Sequence, residues 1–491
     1  MPATPDGAVV IGIDIGTSAI KAVMIGPEGG TLDRFAAPHE TARPGPGAAE
    51  QDPAGWIAQV TAALGRFARH PAAARVAAIG LTSQVNTHVF CDGALAPLCP
   101  AIVWQDTRAA AAGAALEARI DPAAKIAALG APIPIDASHA LARMAWMAEH
   151  APGVWDRTRH VLLPKDFVLA RLTGAIGADP ISAVGLVGPD LRYADAVVGL
   201  VARAGRVLAP LADPLAIGGV VAAGLPFAGV PVAVGTMDAW ASMFGLGVGA
   251  EGQAFHLSGT SEVLGAISAQ GGGAAGVISF APWRGIRLHA APTQAGGASL
   301  AWLGRLLGRG VAELGTLAGG APITERSPLF LPHLEGERAP LWDARSRGGF
   351  AGLGTADGPA ELARAVMEGV AFSARLALEA VADAAGIATP ALRHGGGGAA
   401  SDAWCRIRAD AMGRRLERVA APETGATGAA AMAAVAAGLA PDIATATARL
   451  VQTDALFVPD QAAAALADRR FALYRDLYEG LKPVHRALVP G

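Results

Sequence analysis

The chain has 491 residues, enough for two or more domains, because single hydrophobic cores stop growing at roughly 250 to 300 residues. Hydrophobic residues make up 52% and charged ones 16%, with a formal net charge of -3; this excludes a disordered chain and leaves no broad electrostatic footprint for nucleic acid or membrane lipid. Cys91, Cys99 and Cys405 form no C-x-x-C pair, so neither a zinc knuckle nor a disulfide framework is expected and a cytoplasmic location is.

The N-terminus "MPATPDGAVVIGIDIG" lacks a basic n-region and a clean apolar h-region, so no export signal is read there. "VIGIDIGTSAIKAV" then predicts strand, tight turn and strand, with Asp14 set inside an apolar run, and "TLDRFA" predicts a third strand. In "DPAGWIAQVTAALGRFAR" Asp52 is a natural N-cap, Pro53 suits the first helical position, and Trp56, Val60 and Leu64 recur at helical spacing. "VAAIGLTSQ", "THVFCD" and "AIVWQD" read as further short strands, so the first half is an α/β domain. The uncharged stretch from Pro214 is broken by Gly218, Gly219, Gly224, Pro226, Gly229 and Pro231, which suits turns between short buried strands and not a membrane span. After a loop at "GLGVGAEGQ" the pattern restarts, because "AFHLSGTSEVLGAISA" again predicts strand, Gly-Thr-Ser turn and strand. The alanine-rich "TGATGAAAMAAVAAGLAPD" from Thr424 reads as a close-packed interior helix.

Several stretches carry chemistry. A carboxylate in an apolar strand is costly unless it has a partner, so Asp14 beside Gly16, Thr17 and Ser18 either ends the strand on backbone N–H groups or meets a metal-bound nucleotide. Two Gly-Thr-Ser turns, one in each half, are both candidate anion nests. In "VAVGTMDAW" an apolar strand runs into Asp238, where an α/β sheet places its reactive groups and where the residue would either act as a base or cap the following helix. "RHGGGGAASDAW" offers glycines for close approach to a flat or anionic ligand, with Asp402 before a helix; a plain flexible loop is the alternative. Asn86, Gln105 and Asp106 can bond hydroxyls, and Trp104 offers a flat apolar face. Against this stand a core role for Trp104, a surface ion pair of Asp106 with Arg108, and a structural role for His88.

The order "DIGTS", "AIVWQD", "PKDFVLARLTG", "GTMDAW", "LSGTS", "FLPHLEGERAP" and "GGGGAASDAW" resembles the FGGY family of carbohydrate kinases from end to end. "GGFAGLGTADGPAELARAVME", residues 348 to 368, agrees with the family's C-terminal signature. The N-terminal signature is only partly kept in "SHALARMAWMAEH", with Ala140 where Pro, Ser or Thr is usual and Arg143 where Lys is usual. The resemblance implies an α/β, two-domain actin-like ATPase (ribonuclease H-like) fold with a central interdomain cleft. It places an N-terminal domain at 1–247, mainly for sugar and the catalytic base, and a C-terminal domain at 248–491, mainly for nucleotide. By the same resemblance Asp238 is the base, Asp14 organises Mg2+, and Gly16, Thr17, Ser18 and Lys21 lie around the phosphates of ATP. Gly259, Thr260, Ser261 and Gly297 are further nucleotide contacts, and Gly397, Gly398 and Asp402 form the adenosine clamp. Gln84, Val85, Asn86, Trp104 and Asp106 are expected, with Asp238, to line the sugar pocket.

Glycerol kinases carry Arg-Glu after the strand-end glutamine, whereas this chain has Val85-Asn86 after Gln84; xylulokinases show Met-His-Gly, with Asn86 at the His position. The expected substrate is a ketopentose, D-xylulose first, with another ketose or a polyol as the competitor and a catalytically dead sugar or nucleotide sensor as the non-enzymatic alternative. Neither nucleic acid nor membrane is an expected partner, and a homodimer is the default assembly.

Overall fold

Val9–Ile15 and Ala19–Ile25 pair as antiparallel strands across the first Gly-Thr-Ser turn, and Thr31–Pro38 adds the expected third strand. The computed structural model describes residues 7–489, so the first six residues of the stretch read for an export signal lie outside the described residues. Apart from Asp14, Val9–Ile15 is apolar because both its faces are covered. On one side Ile11, Ile13 and Ile15 join Trp56, Val60, Leu64 and Phe67 of the helix Pro53–Phe67, whose cap Asp52 accepts from Ala54 N–H as the sequence predicts. On the other lies the alanine-rich helix Thr424–Ala436.

The chain falls into two compact units. The first takes the chain up to Gly247 together with Glu423–Val451; the second takes Val248–Pro422 with Gln452 onward. The expectation of one unbroken domain after 247 therefore meets a segment that packs elsewhere, and the reason is steric. A Cβ on Gly12 would lie 1.8 Å from Ala426 O, and one on Gly80 would lie 1.8 Å from Ala429 O. Only two glycine-bearing strands let a helix sit this close, and a helix of alanine and glycine is thin enough to use the space.

Both units repeat one sheet order. In the first, the path runs Thr31–Pro38, Ala19–Ile25, Val9–Ile15, Val76–Ser83, Pro231–Ala233 and Ile217–Val220, with Thr236–Met237 also paired to Val76–Ser83. Three strands form an antiparallel meander, two more add in parallel, and the last turns antiparallel at the edge. In the second, Arg287–Pro292, Glu262–Ser268 and Ala254–Ser258 form the meander, Ala391–Gly395 and Arg415–Val419 add in parallel, and Thr453–Phe457 closes antiparallel. The long helix Pro359–Ala385 covers this second sheet through Leu378 and Val381 against Leu264 and Leu392. Glu368, at the end of the C-terminal signature, is buried on that helix and pairs with Arg470 at 2.6 Å.

Two local expectations change. Of the two paired strands in the Pro214 stretch only Pro231–Ala233 is buried as expected; Ile217–Val220 lies at the sheet edge with Ile217 and Val220 exposed. "AIVWQD" keeps only Ala101–Ile102 as strand, so Trp104, Gln105 and Asp106 lie on a loop. Among the described residues no helix is long and apolar enough to cross a membrane.

Candidate active site

The parallel strands Val9–Ile15, Val76–Ser83 and Thr236–Met237 end together, with Asp14 level with Thr82 and Thr82 level with Thr236. Their C-terminal ends deliver Asp14, Gln84 and Asp238 to one edge of the sheet, where such folds place ligands. Oδ1 of Asp14 is shut off from solvent and has no hydrogen-bond partner among the described residues. Burial, then the charge of Asp238, push its pKa up to about 7, against a lowering by Lys21 on the paired strand. Asp238 is raised to about 6 by burial, opposed by backbone N–H groups that include Ala239 at 2.8 Å. It is the first residue of the helix Asp238–Gly245, and Met237 holds the N-cap position, so capping does not account for it. One carboxylate oxygen thus lacks the partner its burial demands, and a neighbouring carboxylate is poised to take a proton near neutral pH.

Gln84 is buried; its Nε2 donates to Gln51 Oε1 at 2.9 Å, while Gln51 Nε2 donates to Thr17 O at 2.7 Å and Thr41 Oγ1 at 2.8 Å. Gln84 Oε1 is buried without a partner among the described residues. Gln51 went unread in the sequence, yet it ties the first Gly-Thr-Ser turn to the strand end that carries Gln84 and Val85. Trp104 is 46% exposed, which removes the core role, and its indole N–H donates to Thr17 Oγ1 at 3.0 Å. Ser18 and Lys21 are exposed, and Gly16 O is met by His39 Nε2 at 3.0 Å. Asn86 stands in the left-handed region at φ 53° and its Nδ2 donates to Ser138 Oγ at 3.2 Å. Asp106 is buried, and its oxygens accept from Ala49 N–H at 2.9 Å and from Arg108 Nε at 2.9 Å. That occupies it in holding the loop below Trp104, through a pair in which Asp106 is buried and Arg108 half-buried.

Behind Asp238 lies a buried ion cluster. Lys165 Nζ is 2.6 Å from Asp166 Oδ1 and 2.8 Å from Asp179 Oδ2, all three side chains being inaccessible. Burial alone would depress the Lys165 pKa, but Asp166 and Asp179 together raise it; burial lifts Asp166 to about 6. Thr236 donates to Asp179 at 2.8 Å, and Thr82 donates to Thr236 O at 2.7 Å, so the cluster anchors the strand that leads into Asp238. "PKDFVLARLTG" entered the sequence reading only as a family string; the buried use of its lysine depends on Asp179, which no spacing pointed to.

In the second unit, the turn Gly259–Ser261 docks on the start of the helix Gly297–Leu307, where Gly297 N–H donates to Gly259 O at 2.8 Å. The loop of Gly397 and Gly398 folds onto the same place, since a Cβ on Gly398 would lie 2.1 Å from Ser258 Oγ. A buried network joins these pieces. Arg408 contacts Glu262 and Ser258 (2.7 Å) and reaches Gly398 O at 3.0 Å, while Glu262 sits 3.0 Å from His256. Burial would raise the Glu262 pKa, but Arg408 and His256 outweigh it and hold it down at about 2. Ser401, not Asp402, caps the helix Asp402–Met412, and Asp402 pairs with Arg418 at 2.7 Å.

Two family models match this chain: the N-terminal domain of the FGGY family of carbohydrate kinases at residues 9–245 and its C-terminal domain at residues 258–437. The chain belongs to the FGGY family of carbohydrate kinases. It is a phosphotransferase with an alcohol group as acceptor. This FGGY kinase is 30% identical to the xylulose kinase of Escherichia coli over 486 residues, which is 96% of this chain and 99% of that one. It is also 30% identical to the glycerol kinase of Aromatoleum aromaticum over 459 residues, 88% of this chain and 90% of the other. Among solved structures, the xylulose kinase from Brucella ovis superposes with a TM-score of 0.85 at 30% identity, covering 97% of this chain and all of that one. The two-domain actin-like ATPase fold follows from this likeness.

Proposed function

We propose that this kinase transfers the γ-phosphoryl group of ATP to the primary hydroxyl of a ketopentose, D-xylulose first, giving D-xylulose 5-phosphate and ADP. The observation that carries the reading is the pair Asp14 and Asp238 at one sheet edge, the first with a buried, unpartnered oxygen and the second raised to about 6. In this mechanism Asp238 accepts the hydroxyl proton as that oxygen bonds to the γ-phosphorus and the bond to the β-phosphate oxygen breaks. Backbone N–H groups and hydroxyls of the Gly16–Thr17–Ser18 turn, with Lys21, hold phosphate oxygens; in the second unit Gly259, Thr260, Ser261 and Gly297 do the same, and Gly397, Gly398 and Asp402 hold the nucleoside. Mg2+ fits the lone oxygen of Asp14, since it binds through one or two carboxylates and otherwise through water and phosphate; when bound it neutralises phosphate charge. Among the described residues no cluster of three or more acidic, His or Cys side chains offers a self-sufficient metal site, in keeping with that mode.

For the acceptor, Gln84, Val85, Asn86 and Trp104 form the sugar side. Val85-Asn86 replaces the charged pair of the glycerol-specific branch, and relatives named xylulose kinases support the ketopentose. The similarity to a glycerol kinase keeps a polyol as the second reading. Retention of Asp14, both Gly-Thr-Ser turns and Asp238 speaks against a dead sensor. A coupled ADP-release assay over ketopentoses, aldoses and polyols decides between them. D-xylulose is expected to give the highest kcat/KM, and a polyol ahead of it by tenfold would replace it as substrate. A cytoplasmic homodimer completes the proposal, and sedimentation of the purified chain tests the assembly.

A further inference from the structure

The most informative departure from the family pattern is Arg143 of the helix Ala140–His150, which is wholly buried. Its Nη1 donates to Asn86 O, to Ile102 O at 2.9 Å and to His88 Nδ1 at 2.9 Å, and its Nη2 donates to Val103 O at 2.6 Å. A guanidinium has only donors, so His88 must accept through Nδ1 and carry its proton on Nε2; burial and the Arg143 charge keep that ring neutral. Among the described residues no carboxylate touches the guanidinium and its Nε–H has no partner, so main-chain carbonyls carry most of the task of satisfying a buried cation. Those carbonyls belong to Asn86 and to Ile102 and Val103 just before Trp104, on two separate segments of chain. The same helix touches the site twice more: Ser138, just before it, binds the Asn86 amide, and Trp146 lies under Arg108, 4.9 Å from the ring centroid, which in turn holds Asp106.

We infer that the segment from Ser138 to Trp146 is a positioning device for acceptor recognition, with Arg143 as the strut that sets Asn86 and Trp104 relative to one another. The inference rests on the proposed sugar side of the site. Lysine cannot replace the strut, because one ammonium is a single point of donors, whereas the two guanidinium nitrogens reach Asn86 and Val103 at once. The bond to Asn86 O also holds that residue in its left-handed conformation. With one N–H of Nδ2 committed to Ser138, the second N–H and Oδ1 of Asn86 remain to bond a substrate hydroxyl.

The test is steady-state kinetics of full-length Arg143→Lys and Ser138→Ala with D-xylulose and glycerol as acceptors, beside Asn86→Ala and Trp104→Ala. Arg143→Lys is expected to raise the KM for D-xylulose about tenfold and to change the D-xylulose to glycerol ratio of kcat/KM, with the KM for ATP within about twofold. Ser138→Ala is expected to raise the same KM about threefold. An equal rise in both KM values, or an unchanged sugar KM while Asn86→Ala and Trp104→Ala raise it, overturns the strut. If Asn86→Ala and Trp104→Ala also leave the sugar KM alone, the sugar side itself has been misassigned. Should Arg143→Lys fail to melt cooperatively, Ser138→Ala decides alone: a selective rise in sugar KM supports the device and no rise refutes it.

Discussion

The two units carry the same sheet order and the same Gly-Thr-Ser turn, yet treat the acidic residue beside that turn in opposite ways. In the first, Asp14 precedes the turn with an oxygen that nothing among the described residues satisfies, and its pKa is pushed up to about 7. In the second, Glu262 follows the turn with Oε1 held by Arg408 and Ser258 and Oε2 3.0 Å from His256, and its pKa is held at about 2. The difference teaches how to tell a ligand site from a girder. A buried carboxylate with its own cation is structural, and one left wanting a cation is kept for a charge that arrives with the substrate.

The largest expected effect breaks the first side of this contrast. Asp238→Ala should keep the binding of ATP and sugar near normal by calorimetry while kcat falls by about three orders of magnitude or more; a kcat within tenfold of the parent would remove Asp238 as base. In the parent enzyme, kcat/KM should drop as pH falls through about 6, because protonated Asp238 cannot accept the hydroxyl proton.

Glu262→Gln attacks the second side. Removing one partner of a buried pair strands Arg408, so a loss of about 3 kcal/mol in unfolding free energy is expected at pH 7. Glu262 is depressed in the folded state, so its contribution is fully present above the ordinary glutamate pKa near 4.5 and fades as pH falls toward about 2. Denaturant melts should show the gap between variant and parent closing along that path; a gap that is constant with pH would mean the charge is not what matters.

Asp14→Asn should behave oppositely without nucleotide. A carboxylate raised in the folded state favours folding in its protonated form, and its ionisation costs stability as pH rises from about 4 to about 7. The Asn variant should therefore match the parent at pH 4 and exceed it by about 3 kcal/mol at pH 8, while losing the stabilisation that Mg2+ with a nucleotide gives the parent in thermal melts. The smallest effect is expected at Asn86→Ala, about 1 to 3 kcal/mol in kcat/KM for the sugar, part of it from forcing alanine into the left-handed region. Asn86→Gly, which tolerates that backbone, separates the two contributions.

Much of the site was readable before folding. Asp14 broke an apolar run, Asp238 ended one, and the Gly-Thr-Ser turn occurred twice; each is a local signal, since strand periodicity and turn chemistry act over a few residues. Glu262 gave the same signal as Asp14, a carboxylate at the start of the apolar "EVLGAIS", and was passed over. Arg143 showed only as a mismatch to a pattern, and Gln51 did not show at all.

By itself the sequence determined the elements, the duplicated plan and the residue types at the strand ends, because backbone preference and hydrophobic period are properties of neighbouring residues. Tertiary structure alone decided which carboxylate would be satisfied and where the helix Thr424–Ala436 would pack. Arg408 lies 146 positions from Glu262, and Ala426 lies more than 400 from Gly12. Pairing of buried charges and backbone-to-backbone packing depend on which distant segments meet in space, and no local period encodes that meeting.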